Sequence, residues 1–169
     1  AADPESTIYN VDVGKLGDNY FLLRVGMGFA ARKVAYADRD MKNRFGIMAY
    51  SIASVKALKD TQSVHYRIKL DEREFEVDGV TCLIDNAGNM GVQGSKPSKD
   101  IRVDDGLLDV LVVALSRNKR VIHHGQARQI YIEADPPQPV QVDGEMVGET
   151  PVSAGVLPGA LKVIVPKQA

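Results

Sequence analysis

The chain has 169 residues, enough for one domain with a sizeable core. Its 21 basic and 22 acidic side chains leave a formal net charge of −1, which argues against a broadly basic nucleic-acid binder. The single cysteine, Cys82, excludes an internal disulfide and reads as a buried, inert thiol in a reducing, cytoplasmic setting.

Residues 1–7 open on the polar run AADPES and read as a frayed end, not a secretory leader. No apolar run approaches the ~18 residues of a membrane span. Strand signals then dominate. TIYNVDVG and NYFLLRVG are short, rich in β-formers and stopped by glycine. From Met41 to Lys59 the apolar residues Met41, Phe45, Met48, Ile52 and Val55 recur at 4-3-4-3 spacing, which predicts one substantial helix packed on a sheet. VHYRIKL alternates, with Val64, Tyr66, Ile68 and Leu70 on one face, and FEVDG follows as its hairpin partner. VTCLIDN and GLLDVLVVAL are near-continuous apolar runs, as central strands buried on both faces would be. QIYIEA, PVQVD and ALKVIVP complete the series. The predicted fold class is mainly β, a two-layer β-sandwich with one substantial helix.

Several motifs carry little chemistry. GMGFAA, Gly26 to Ala31, matches a dinucleotide pattern, but the predicted helix begins about ten residues too late for a βαβ unit. The long loop Asn86 to Asp100 contains Gly94-Ser95-Lys96, the wrong order for a phosphate loop. His123 and His124 are adjacent, so on a strand they point to opposite faces. No Ser, His and Asp or Cys and His arrangement suggests a nucleophile.

Two acidic turns remain. VQVDGEMVGETP, Val140 to Pro151, places Asp143 and Glu145 about a glycine. Asp-Gly between alternating apolar residues is a strong hairpin signal, and the same carboxylates could also serve a reaction site as a base. RVDDGLLDV, Arg102 to Val110, is either a turn into a buried strand or an oxygen-rich site for a hard cation.

Taken in order, VDVGKLGDNYFLLRVGMGFAA, NRFGIMAYSIASVKAL, DNAGNMG, RVDDGLLDVLVV, VQVDGEMVGETP and LPGALKVIVP resemble the C-terminal half of diacylglycerol-kinase-type lipid kinases. That family includes bacterial diacylglycerol and other lipid kinases and the sphingosine and ceramide kinases. The resemblance runs from Ile8 to Pro166, so residues 8–166 are expected to form the family's β-sandwich domain. It implies an N-terminal ATP-binding domain carrying Gly-Gly-Asp-Gly-Thr, a motif this sequence does not contain. The chain therefore looks like the second domain alone, inactive without its partner lobe.

The resemblance also implies roles. Glu145 would be the base that takes the proton from the lipid hydroxyl, with Asp143 as its close partner. The Asp105 side chain and the backbone carbonyls of Arg102 and Leu107 would bind a structural Mg2+. Implied partners are a lipid such as diacylglycerol, the chain's own N-terminal ATP-binding domain and the inner membrane face, and no nucleic acid. ATP would be co-substrate through the other lobe. One departure stands out: after Ser116 such kinases usually insert a longer segment, whereas RNKRVIHHG bridges directly here. The rival expectation is a non-catalytic lipid- or partner-binding sandwich module.

Overall fold

The computed structural model describes residues 6–28, 62–87, 101–116 and 119–165. Twelve strands run through them: β1 (Thr7–Leu16), β2 (Asn19–Phe21), β3 (Arg24–Gly28), β4 (Val64–Leu70), β5 (Arg73–Gly79), β6 (Thr81–Asp85), β7 (Leu108–Ser116), β8 (Lys119–Ala127), β9 (Gln129–Asp135), β10 (Pro139–Val142), β11 (Glu145–Glu149) and β12 (Val152–Val165). They form two six-stranded antiparallel sheets, in the orders β2-β1-β12-β9-β4-β5 and β11-β10-β3-β6-β7-β8.

The expected class, mainly β with one substantial helix, is corrected here. The sandwich-like pair of sheets is present, but the described residues contain no helix. The Met41–Lys59 stretch to which the spacing assigned one lies outside them. Residues 1–5, most of the segment 1–7 expected to fray, also lie outside them, as does most of the long glycine-rich loop, residues 88–100.

VHYRIKL follows its alternation. Val64, Tyr66, Ile68 and Leu70 are buried while His65, Arg67 and Lys69 are exposed. Its hairpin with β5 pairs Leu70 with Arg73 and Val64 with Gly79. From the other sheet Val25, Met27, Ile84, Val110 and Val112 join these side chains in one buried cluster. Burial of an aliphatic side chain of this size contributes about 1.5–3 kcal/mol, so this shared layer is what holds the sheets face to face. β6 is buried throughout, as its unbroken apolar run predicts.

NYFLLRVG is not one strand. It divides into β2 in one sheet and β3 in the other, and the chain crosses between layers at Leu22 and Leu23. Phe21 enters the core, and Gly14 on the paired strand leaves room for it: a Cβ there would meet the Phe21 ring at 2.1 Å. β7 and β8 pair antiparallel, with Ser116 the register partner of Lys119, and β8 is the edge strand of its sheet. β3 pairs antiparallel with both β10 and β6, which removes the parallel unit a dinucleotide fingerprint needs.

Candidate functional site

The Asp143–Gly144 turn joins β10 to β11, with Val142 paired to Glu145. Both turn residues have positive φ, 45° and 95°, as a two-residue hairpin of the primed type requires. The Asp143 carboxylate then reaches across to the crossing point between the sheets. Its Oδ2 accepts from Leu22 N at 2.8 Å, and its Oδ1 accepts from Arg24 N at 2.8 Å and Leu23 N at 3.1 Å. Three amides that a bend would leave without strand partners are satisfied by one side chain.

Asn86 holds the other side of that bend. Its Nδ2 donates to Leu22 O at 3.0 Å and Asp12 O at 2.9 Å, and its own amide donates to Leu23 O at 3.0 Å. Two carbonyl acceptors fix the orientation of the side-chain amide. Asp12 is buried. Its Oδ2 accepts from Gly106 N and its Oδ1 from Gly159 N, both at 2.7 Å, while its own amide donates to Val103 O at 2.7 Å. One aspartate thus ties β1 to the acidic turn and to β12.

These residues border a cavity of about 960 Å³. Tyr9 and Val11 of β1, Leu161 and Val163 of β12, and Leu22 and Leu23 at the crossing point supply its apolar lining. Asp104 and Asp143 are both on its border, so the fold brings the two acidic turns to one place. Asp143 also lines a second recess of about 190 Å³, shared with Glu145, Asn19 and Tyr20. Glu145 is exposed, and its carboxylate accepts no hydrogen bond from the described residues. The hairpin tip therefore stands where an apolar cavity meets a polar recess.

On the other acidic turn, Asp105 Oδ1 accepts from Leu107 N at 3.0 Å, leaving Oδ2 as the oxygen that could ligate a cation. Asp104 instead pairs with the Arg102 side chain at 3.1 Å, which leaves the Arg102 carbonyl unaffected. A carboxylate and main-chain carbonyls are hard oxygen donors of the kind magnesium takes, so the residue types fit the implied ion. Among the described residues no three His, Cys, Asp or Glu side chains gather as a metal cluster. A cation here would depend on the Arg102 and Leu107 carbonyls.

A charged row unforeseen in the sequence crosses the second sheet. Arg24, Asp85 and Asp109 are register partners on β3, β6 and β7. Arg24 Nη2 donates to Asp85 Oδ2 at 3.0 Å, with Nε 2.8 Å from Oδ1 but off the hydrogen-bond direction. His124 Nε2 meets Asp109 Oδ1 at 2.5 Å. Burial pushes the Asp85 carboxyl up to about 6, with Arg24 pulling it back and Asp109 adding to the rise. Burial likewise raises Asp109, opposed by its bond to His124. Cys82 is fully buried, and desolvation drives its thiol well above the ordinary range, which removes it as a nucleophile.

Sequence reasoning singled out Asp143, Glu145 and the 102–107 turn, and it did not single out Asp12, Asn86 or the Arg24 row. Asp12 left one signal: in β1 it shares the inward register of Gly14 and Leu16.

The model of the YegS C-terminal NAD kinase beta sandwich-like domain matches residues 24–124 and 117–165. The two stretches overlap over residues 117–124, beside the point where the longer segment was expected. An uncharacterized protein of Synechocystis is 30% identical over 92% of this chain and 41% of its own length. A Staphylococcus haemolyticus protein named "Putative lipid kinase" is 26% identical over 94% of this chain and 57% of its own. Among solved structures, a "putative diacylglycerol kinase" of Bacillus anthracis superposes with a TM-score of 0.76 at 25% identity, covering 92% of this chain and 56% of that one. The chain thus spans about half the length of these relatives. The matched sandwich, shared along nearly its whole length, places the chain in the YegS C-terminal domain family of the diacylglycerol and lipid kinases.

Proposed function

We propose that this chain is the lipid-facing, base-bearing domain of an ATP-dependent kinase that phosphorylates a lipid hydroxyl, diacylglycerol being the type substrate. One observation carries the reading. Asp143 borders both the apolar cavity and the recess that Glu145 lines, so an amphiphile could lodge its chain in the first and present a hydroxyl at the second.

In the reaction, the lipid oxygen attacks the γ-phosphorus of ATP and ADP leaves. Glu145 accepts the hydroxyl proton. Such transfers depend mainly on positioning and charge neutralisation, and a positioned base adds roughly 10²–10⁴-fold. ATP, with its catalytic Mg2+, belongs to a companion N-terminal lobe of the size by which the relatives exceed this chain. Mg2+ held by Arg102 O, Asp105 and Leu107 O would brace the acidic turn and take no part in proton transfer. No helix among the described residues is long and apolar enough to cross a membrane, and the reading needs only that the domain works against a bilayer surface.

The test is phosphate transfer from labelled ATP to diacylglycerol in mixed micelles. The full-length protein should turn over, Glu145→Gln should lose most of that turnover while ATP binding persists, and this domain alone should be inactive. Lipid binding by the isolated domain, with no transfer by the full-length protein, would favour the binding module instead.

A further inference from the structure

Asp143 and Glu145 share a hairpin end but not a chemical situation. Both Asp143 oxygens are occupied by the amides of Leu22, Leu23 and Arg24, and its own amide donates to Arg24 O at 2.9 Å. The arrangement has a twin in the other sheet. At the tip of the β4–β5 hairpin Asp71 also has positive φ, 52°. Its Oδ1 accepts from Arg128 N at 3.1 Å and Gln129 N at 2.9 Å, and its amide donates to Gln129 O at 2.9 Å. In both places an aspartate at the first loop position staples a hairpin tip to a bend in a distant part of the chain.

The twin shows what the device does without chemistry. Two residues past Asp71 stands Arg73, which reaches Gln126 O at 3.3 Å. Two residues past Asp143 stands Glu145, facing its recess with a free carboxylate. The bend that Asp143 grips is itself cavity wall, since Leu22 and Leu23 line the cavity and their carbonyls are held by Asn86. The span from that wall to Glu145 is therefore set through Asp143.

We infer that Asp143 is a positioning residue, which staples the hairpin tip to the Leu22–Arg24 bend and so aims Glu145, the sole proton acceptor of the two. The chemistry rests on the lipid-kinase reading; the staple does not.

The experiment combines steady-state kinetics of the full-length protein, with ATP and diacylglycerol micelles from about pH 5 to pH 9, with amide hydrogen exchange on the same samples. Asp143→Asn should lower kcat roughly 10–100-fold, as expected for a misplaced group, with KM for ATP unchanged. The acid limb of its kcat profile should persist, because Glu145 is still present as the base. Asp143→Ala, which leaves no acceptor, should speed exchange at Leu22, Leu23 and Arg24. Glu145→Gln should erase the acid limb and leave those amides protected. Asp71→Ala should free the amides of Arg128 and Gln129 and lower Tm, yet leave kcat alone.

Loss of the acid limb in Asp143→Asn, or full turnover in Asp143→Ala despite freed amides, would overturn the inference. If the full-length protein transfers no phosphate, the lipid-kinase reading fails. Unchanged exchange in Asp143→Ala would sink the staple separately.

Discussion

Asp12 and Gly159 lie 147 positions apart and are joined by a 2.7 Å hydrogen bond from the Gly159 amide to Asp12 Oδ1. The other Asp12 oxygen holds Gly106, and both glycines sit at positive φ, 59° and 71°. The carboxylate thus organises two bends that face it from different parts of the chain. Asp12→Ala leaves the buried Gly106 amide without a partner, at about 1–3 kcal/mol, and releases the exposed Gly159 amide to water at lower cost. Asp12→Asn keeps one acceptor and should cost less. Urea unfolding that ranks wild type, Asn and Ala in that order supports this, and equal midpoints for all three would refute it.

Gly14 faces the Phe21 ring. A methyl group there would overlap ring carbons at 2.1–2.4 Å, and Phe21 is itself enclosed in the core. Gly14→Ala should destabilise the domain by about 1–3 kcal/mol, the usual range for overpacking. A paired Phe21→Leu change should recover part of the loss, which thermal unfolding of the single and double variants would reveal.

Asp85 gives the domain an unusual response to acid. Its carboxyl is raised from 3.8 to about 6, chiefly by burial. The folded chain therefore binds this proton more readily than the unfolded chain does. Stability contributed by Asp85 rises as pH falls from about 6 toward 4, and the penalty is complete above pH 6. The shift corresponds to about 3 kcal/mol. Asp85→Asn should remove that slope from unfolding free energies measured across the window. A slope identical to wild type would show that Asp85 is not its source.

Arg24 is the cation of the buried row. Arg24→Met leaves Asp85 without its ion-pair partner and should cost about 3–5 kcal/mol near neutral pH, with a smaller loss near pH 4 where Asp85 is neutral. Adding Asp85→Leu to Arg24→Met should restore most of the stability. Failure of the double variant to recover would mean that the row does more than balance charge.

Asp105 tests the magnesium site without any need for turnover. Added Mg2+ should raise the Tm of the wild-type domain and leave Asp105→Ala unmoved, because site-specific binding stabilises only the fold that holds the site. An equal rise in both would remove Asp105 from the ligand set.

Much of this architecture was legible in local sequence. The alternation of VHYRIKL and the apolar run of VTCLID correspond to β4 and β6 because burial follows a period the residues themselves display. Asp143-Gly144 read as a hairpin because few residue pairs tolerate two positive φ angles in succession. The break inside NYFLLRVG was invisible, since Leu22 and Leu23 are ordinary strand formers and the carboxylate that captures their amides lies about 120 positions away. The Arg24 row was hidden for the same reason: register between β3, β6 and β7 is a long-range property that no window of sequence contains. The Asp143 and Glu145 pair was picked out by its turn, but the unequal condition of its two carboxylates emerged only with their partners.

Cys82, the second residue of β6, is buried, and it is the single thiol of this sequence. An alkylating reagent can reach it only when the sheet itself parts. Its modification rate is thus a stopwatch for opening of the sandwich, already installed, against which each substitution above can be timed without adding a label.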